Sequence, residues 1–462
     1  MAFISIFNDV IGPVMRGPSS SHTAGAHRIG LVVRDLLGAE PRDVRVTFDP
    51  KGSMAPTWES LGVDLALAAG LMGWTMLDEK YVSSVERMRA AGSAIDVDIA
   101  PLEETDHPNG MLVEILPREG ERLRVIAEAV GGGGIRITSV NGRPVEIDGK
   151  SRVELVEDGL PTRKVRPVFF VRRAEAVFES GKEMVAVSEA RGLSLGEAAL
   201  AYEAELLGFT EVEVVDEMLR RLEVMERSAA AGLDDGRSDM LLLEPTALKI
   251  LTAEESGAVA VGGIHTRAAA RAMAVMHHCN SRGVVCAAPT GGSAGVVPGV
   301  ILSLAEEMGL PRRRAVLALF AAGAVGLIVA RRATFAAEIA GCQVEIGVAG
   351  AMAAAAVVEA AGGGPRQAAD AAAVSLQNTL GSPCDPVAGA CEVPCHTRNA
   401  VAASSAFTCA DLVLGGYVNP IPLDEAIDVS YEVGKALPAE LRCTARGGCA
   451  VAPSALALRP RR

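Results

Sequence analysis

Through the first third of the chain, apolar and polar residues alternate in short runs. Further on, apolar positions recur three and four apart, and this change of period divides the sequence into two regimes. Between Asp43 and about Glu154, the runs at 44–48, 111–116, 123–126 and 135–140 are β-rich, have strand length, and are separated by turn residues such as Asn141-Gly142. Helices are predicted over 24–37, ahead of these runs, and over 62–73, among them. This half therefore reads as α/β. Beyond Phe178 the strand pattern stops, and the spacing through 212–225 and 268–278 predicts an all-helical half. Residues 157–176, with Pro161, Pro167 and several basic side chains, read as an exposed connector. The expected architecture is an α+β two-domain chain: an α/β domain over 1–155, a linker over 156–177 and an all-α domain over 178–462.

Composition narrows the function. A formal charge of −13 over 462 residues, with only short basic runs, argues against a nucleic-acid partner and points to a neutral or zwitterionic small molecule. Nine cysteines in so long a chain do not make a disulfide framework, because a chain of this size buries its own core. The N-terminal stretch lacks a basic segment and carries Asp9 early, so no signal peptide is predicted and a reducing, cytoplasmic setting is expected. The apolar segment 315–330, bracketed by Arg312 to Arg314 and by Arg331-Arg332, is shorter than the roughly 18–20 residues of a membrane span. It is predicted to be a buried helix, and no membrane partner is expected.

Four stretches carry candidate chemistry. Gly17 to Gly25 opens a helix with Ser19, Ser20, Ser21, His22 and Thr23. Hydroxyls, free backbone N–H groups and an imidazole at such an entry suit a carboxylate held beside a proton-transfer group, although plain capping accounts for one or two of the hydroxyls. Asp106-His107-Pro108-Asn109-Gly110 is a stiff polar turn whose simplest role is structural. The glycine-rich run 288–299 would let backbone amides approach an anion, with Thr290 and Ser293 adding hydroxyls, but it lacks the ending of a nucleotide-binding loop. Cys342, Cys384 and Cys395 stand where charge nearly vanishes and suggest a buried metal centre. Their spacing matches no ferredoxin or zinc-ribbon pattern, yet Pro383, Pro386 and Pro394 keep the loop irregular enough for thiolates to converge.

In this order, GPSSSHTAG, DHPN, APTGGSAGVVPG, GCQVEIG and CDPVAGACEVPCHTRNA resemble the motifs of the iron-sulfur-dependent L-serine dehydratases, or L-serine ammonia-lyases, over nearly the whole chain. The resemblance implies a β-type domain followed by a cluster-binding α-type domain, a 4Fe-4S cluster on Cys342, Cys384 and Cys395, and Cys391 as a bystander. It further implies that iron acts on the β-hydroxyl of L-serine while a base takes the α-proton, with the serine-rich loop and the cluster meeting at one pocket. His22 is the first candidate base, with Ser19, Ser20, Ser21 and Thr23 binding substrate. Where the family carries a Gly-His-Gly-Thr-Asp element, this chain reads Ser60-Leu61-Gly62-Val63-Asp64. His107 thereby becomes a second candidate base, and a lyase for L-threonine or L-cysteine, or a non-catalytic iron-sulfur sensor, becomes an alternative. The chain ends without the terminal cysteine of some relatives, and the connector is too short for a ligand-sensing domain. Pyridoxal phosphate is disfavoured because no lysine falls in these motifs. The implied partner is an amino-acid substrate, with a homodimer as a further expectation.

Overall fold

The computed structural model describes residues 3–156, 162–234 and 239–461. The chain forms two compact units, Ser19–Val171 and the combination of Met1–Pro18 with Arg172–Arg462. Among the described residues the strands are Val14–Arg16 (β1), Pro41–Phe48 (β2), Ala94–Ile99 (β3), Gly110–Pro117 (β4), Leu123–Gly131 (β5), Gly134–Val140 (β6), Arg143–Ile147 (β7), Val153–Leu155 (β8), Arg163–Val165 (β9) and Val284–Cys286 (β10).

In the Ser19–Val171 unit, six strands form one sheet in the order β3-β2-β4-β5-β6-β7. Only β2 and β3 run parallel, and the rest form an antiparallel meander. Asn141 and Gly142 adopt φ of 50° and 78° in the two-residue turn between β6 and β7, which is the conformation that Asn-Gly favours at a tight hairpin. Two helices, Ala26–Leu37 (α1) and Val63–Leu71 (α2), press together so closely that a Cβ at Gly70 would lie 2.3 Å from the His27 carbonyl oxygen. The predicted strands at 44–48, 111–116, 123–126 and 135–140 are all present. β3 and β7 were missed, since Asp96, Asp98 and Pro144 break the apolar signal.

The other unit is helical. Its long helices include Glu211–Gly232 (α3), Ile264–Asn280 (α4), Val296–Met308 (α5), Arg312–Arg332 (α6), Ile346–Ala360 (α7), Pro365–Gln377 (α8) and Cys395–Leu414 (α9). Every residue of α6 from Ala315 to Val329 is buried, as expected for the segment 315–330. Two stretches, Arg312–Arg332 and Cys342–Ala360, are long and apolar enough to cross a membrane, and their apolar windows are 83% and 94% buried.

Three expectations about organisation need correction. The first 18 residues belong with the helices and not with the sheet, because the buried Glu203 carboxylate accepts the N–H groups of Ile6 and Phe7 at 2.8 and 3.0 Å and the Tyr202 hydroxyl donates to the Ile4 carbonyl. The helical part is not strand-free, since β1 and β10 pair antiparallel. The expected linker over 156–177 is partly packed: β9 pairs with β8, Val165 and Phe169 are buried, and Arg166 forms a two-pronged ion pair with Asp35. Residues 157–161, Pro161 included, lie outside the described residues.

Candidate functional site

In the sheet unit, Ser20–Gly25 forms a widened helical turn that runs directly into α1, with Ser19 as its cap. His22 is buried inside it. Its Nδ1 lies 3.2 Å from Ser19 Oγ and 3.1 Å from Ser21 Oγ, and its Nε2 lies 3.1 Å from Ser53 Oγ, so hydroxyls hold the ring on both edges. Burial lowers its pKa from 6.5 to about 4, opposed by the Ser53 hydrogen bond, so the imidazole is neutral near pH 7 and can accept a proton. Ser20 and Thr23 are also buried, but Thr23 Oγ1 donates to the Leu61 carbonyl at 3.1 Å instead of facing His22. That bond sets the Ser60–Asp64 stretch beside the loop, with the Leu61 side chain buried.

The 106–110 turn joins the same assembly through its backbone. Pro108 offers its carbonyl to the Ser53 N–H at 2.8 Å, so Ser53 connects the turn to His22. His107 itself uses Nδ1 to accept from the Asn109 N–H at 3.1 Å and is only half-buried. Its pKa is lowered by burial, with the Glu128 carboxylate pulling upward and Arg136 downward. The two histidines are thus connected through Ser53 and the turn. Nothing in the sequence marked Ser53, an isolated serine in Gly-Ser-Met.

In the helical unit, the cysteines converge at the start of α7 and α9. The donor atoms of Cys342, Cys384 and Glu345 all lie within 4.8 Å of one another, and backbone bonds set Cys443 beside Cys384, since Cys443 N donates to the Cys384 carbonyl at 2.8 Å. Cys391, a few residues before Cys395, forms no separate site among the described residues, and Cys395 feels the charge of Cys342 and Glu345. Cys342, Cys384 and Cys395 are each at most 6% exposed. Glu345, which sequence reasoning passed over, enters this group: its Oε2 lies 3.9 Å from Cys342 Sγ, and its Oε1 accepts from Thr290 Oγ1 at 2.5 Å. Thr290 and Ser293 share a 3.0 Å hydroxyl contact, so the glycine-rich run reaches the cysteines through Glu345. Gly292 makes that approach possible, because a Cβ there would meet Glu345 Oε1 at 2.7 Å. Asn399 fastens the assembly by donating to the carbonyls of Gly292 and Cys395 at 2.8 and 2.9 Å.

This chemistry suits a cationic cofactor. The thiol of Cys384 is pushed well above its usual range by its contacts with Cys342 and Cys443 and by burial, and that of Cys391 by its contact with Cys395 and by burial. At Cys395 the Cys391 contact lowers the pKa, but burial and the charges of Cys342 and Glu345 prevail and raise it. Glu345 is likewise raised by burial. A buried set of soft donors that resist ionising in one another's presence becomes stable as thiolates once positive charge arrives, and sulfur donors select iron-sulfur clusters or zinc-like ions. The Arg398 guanidinium, paired with Asp385 at 2.8 Å, adds a fixed positive charge near Cys342 and Cys395. A cavity of about 560 Å³ opens beside Cys342 and Arg398, with the hydroxyls of Ser375, Thr379 and Thr397 on its wall.

Comparison with known proteins gives the family of the chain. The serine dehydratase alpha chain family matches residues 190–450, a span that contains every cysteine of the assembly. A probable L-serine dehydratase alpha chain of Bacillus subtilis is 39% identical over 60% of this chain and 93% of its own length. Single-chain relatives extend the match through the sheet unit. An L-serine dehydratase of Streptomyces coelicolor is 30% identical over 94% of this chain and 96% of its own, and L-serine dehydratase 2 of Escherichia coli is 27% identical over 97% and 98%. Full-length similarity of this kind, together with the buried cysteine assembly, places the chain in the L-serine dehydratase family.

Proposed function

We propose that this chain is an L-serine ammonia-lyase that removes water from L-serine by α,β-elimination, with a 4Fe-4S cluster held by Cys342, Cys384 and Cys395. The product aminoacrylate tautomerises and hydrolyses to pyruvate and ammonia. The observation that carries this reading is the buried, mutually crowded set of cysteine thiols in a chain of this family. When bound, the cluster would supply a Lewis acid for the β-hydroxyl, otherwise a poor leaving group.

The chain's own residues would do the rest. His22, neutral near pH 7, takes the α-proton at a ring nitrogen. Both nitrogens are already hydrogen-bonded, so one hydroxyl must give way, and Ser19, the half-exposed member of the pair at Nδ1, is the one free to turn outward. Ser21 and Ser53 then keep the ring oriented. Backbone N–H groups at the entry to α1, with Ser20, suit the substrate carboxylate, and Thr23, whose hydroxyl donates to the Leu61 carbonyl, would hold the loop in place. His107 remains a second proton carrier, and Thr290 and Ser293 supply hydroxyls on the cysteine side. A reducing, cytoplasmic compartment would keep all nine cysteines as the thiols seen here.

Anaerobic purification, iron and sulfide quantitation and a pyruvate assay with L-serine test this reading. The expected result is a loaded cluster and serine-dependent pyruvate release, and a loaded cluster without turnover would contradict it. Buried Leu61, which cannot carry a proton, favours one further reading, a lyase for L-threonine or L-cysteine, and parallel assays of the three amino acids separate the two.

A further inference from the structure

The cavity of about 560 Å³ meets the cysteine assembly at one end, through Cys342, and runs from there along α8 and α9. Cys384, Cys395 and Glu345 take no part in its wall, so most of this space lies outside the cofactor site. On α9 the wall is built by Thr397, Val401, Ser405, Thr408 and Leu412, which stand three and four apart on one helix face. Small residues on the facing surfaces, Gly347, Ser375 and Ala402, leave the gap between the helices unfilled. Gly347 also lets α7 approach, because a Cβ there would lie 2.5 Å from Thr379 Oγ1. The resulting volume falls within the roughly 300–1,000 Å³ of small-molecule sites.

The chemistry of the wall is one-sided. Arg398 is its sole charged side chain, and no carboxylate lines it. Arg398 spends Nη1 on the Pro383 carbonyl at 2.7 Å and on Asp385 at 2.8 Å, which leaves Nε and Nη2 to donate elsewhere. The hydroxyls are already committed as donors to nearby carbonyls: Thr397 Oγ1 to Pro394 at 3.0 Å, Thr379 Oγ1 to Leu376 at 3.1 Å and Ser405 Oγ to Ala402 at 3.1 Å. Each oxygen therefore keeps lone pairs for an incoming donor, as does Oδ1 of Asn378, whose amide donates to the Val374 carbonyl at 2.9 Å. Ile346, Val374, Val401 and Leu412 supply apolar surface. One guanidinium, several acceptors and an aliphatic wall together match a ligand that carries a carboxylate, an ammonium and a hydrocarbon side chain.

We propose that this cavity is a second ligand site, for an α-amino acid with an aliphatic side chain. Arg398 takes the carboxylate, the oxygens of Asn378 and the hydroxyls take the ammonium, and the side chain lies against Val374, Val401 and Leu412. This ligand is not the substrate of the proposed elimination, whose carboxylate suits the loop ahead of α1. A serine side chain would leave the apolar wall uncovered, whereas a branched four-carbon chain covers it.

Titration calorimetry of anaerobically prepared, full-length chain with L-leucine tests this. L-leucine has no β-hydroxyl to lose, so the heat reports binding alone and the result stands or falls apart from the lyase reading. Two analogues are titrated alongside: the α-keto acid of leucine, which lacks the ammonium, and isopentylamine, which lacks the carboxylate. The expected result is saturable binding of one L-leucine per chain, with each analogue at least about 10-fold weaker. Arg398→Gln should weaken L-leucine by about 10-fold to 100-fold, the range for loss of a hydrogen bond to a charged group. Ser405→Trp, which fills the middle of the wall, should abolish binding. No saturable heat with L-leucine, equal binding of either analogue, or binding that survives Ser405→Trp would overturn the proposal. Sedimentation supplies a further outcome: self-association of the unaltered chain that Ser405→Trp disrupts would give this face to a second copy and equally overturn it. Circular dichroism checks each fold, and should Arg398→Gln not fold for want of its pair with Asp385, Ser405→Trp and the two analogues decide.

Discussion

The two regions that carry the candidate chemistry satisfy their buried polar groups in opposite ways. Around His22 every ring nitrogen has a hydroxyl partner, and the Ser53 amide is tied to Pro108, so the loop is complete in itself and holds its imidazole neutral. Around Cys384 the neighbours are other acids: the donor atoms of Cys342, Glu345 and Cys384 crowd within 4.8 Å of one another, and the neighbouring thiols together with burial raise the pKa of Cys384. A network that closes on itself positions a side chain, whereas a buried set of like groups gains stability when a cation enters. The contrast separates a self-contained polar network in the sheet unit from a donor set suited to a cation in the helical unit.

The largest expected effect comes from breaking the cofactor side. Cys342→Ser should abolish both the visible absorbance of anaerobically prepared protein and pyruvate release, because it removes a sulfur shared by the whole assembly. The sheet side should fail differently. His22→Gln keeps a polar side chain in the loop, so it should lower kcat by about 100-fold to 10,000-fold, the range for loss of a positioned proton carrier, while the cluster spectrum and iron content stay unchanged. A variant that loses both together would erase the distinction between the two regions.

Two smaller effects sharpen the account of the His22 loop. Ser53→Ala strands Nε2 in a buried site, which should destabilise the fold by about 1–3 kcal/mol in urea unfolding. The pH dependence follows from the lowered His22 pKa. The folded chain refuses a proton that the unfolded chain accepts between about 6.5 and 4, so stability is full above that window and declines as pH falls through it. Replacing His22 with Gln should remove one proton's share of this decline, leaving the shares of the similarly depressed His27 and His396, as read from urea midpoints across the same window. The acid limb of kcat/KM should likewise fall near 4 and not near the ordinary imidazole value.

Periodicity exposed much of this in advance. Strands with apolar runs broken by a single polar residue, such as 111–116, and the buried helix around 315–330 are written in local pattern. β3 and β7 are not, because Asp96, Asp98 and Pro144 stand on exposed or edge positions that only neighbouring strands explain. The association of residues 3–18 with the helices was illegible for a similar reason: it rests on Glu203, nearly two hundred residues away. Among the candidate residues, His22 and the three cysteines stand out by residue type. Ser53 and Glu345 do not, since an ordinary serine and an ordinary glutamate acquire their roles only from what the fold sets against them.

Iron and acid-labile sulfide counted in anaerobically reconstituted chain, unaltered and as Cys395→Ser, test the central claim most directly. A full 4Fe-4S complement in the first and its loss in the second, with both proteins folded, is the result the account predicts. Equal cluster content in the two, or none in either, would contradict it.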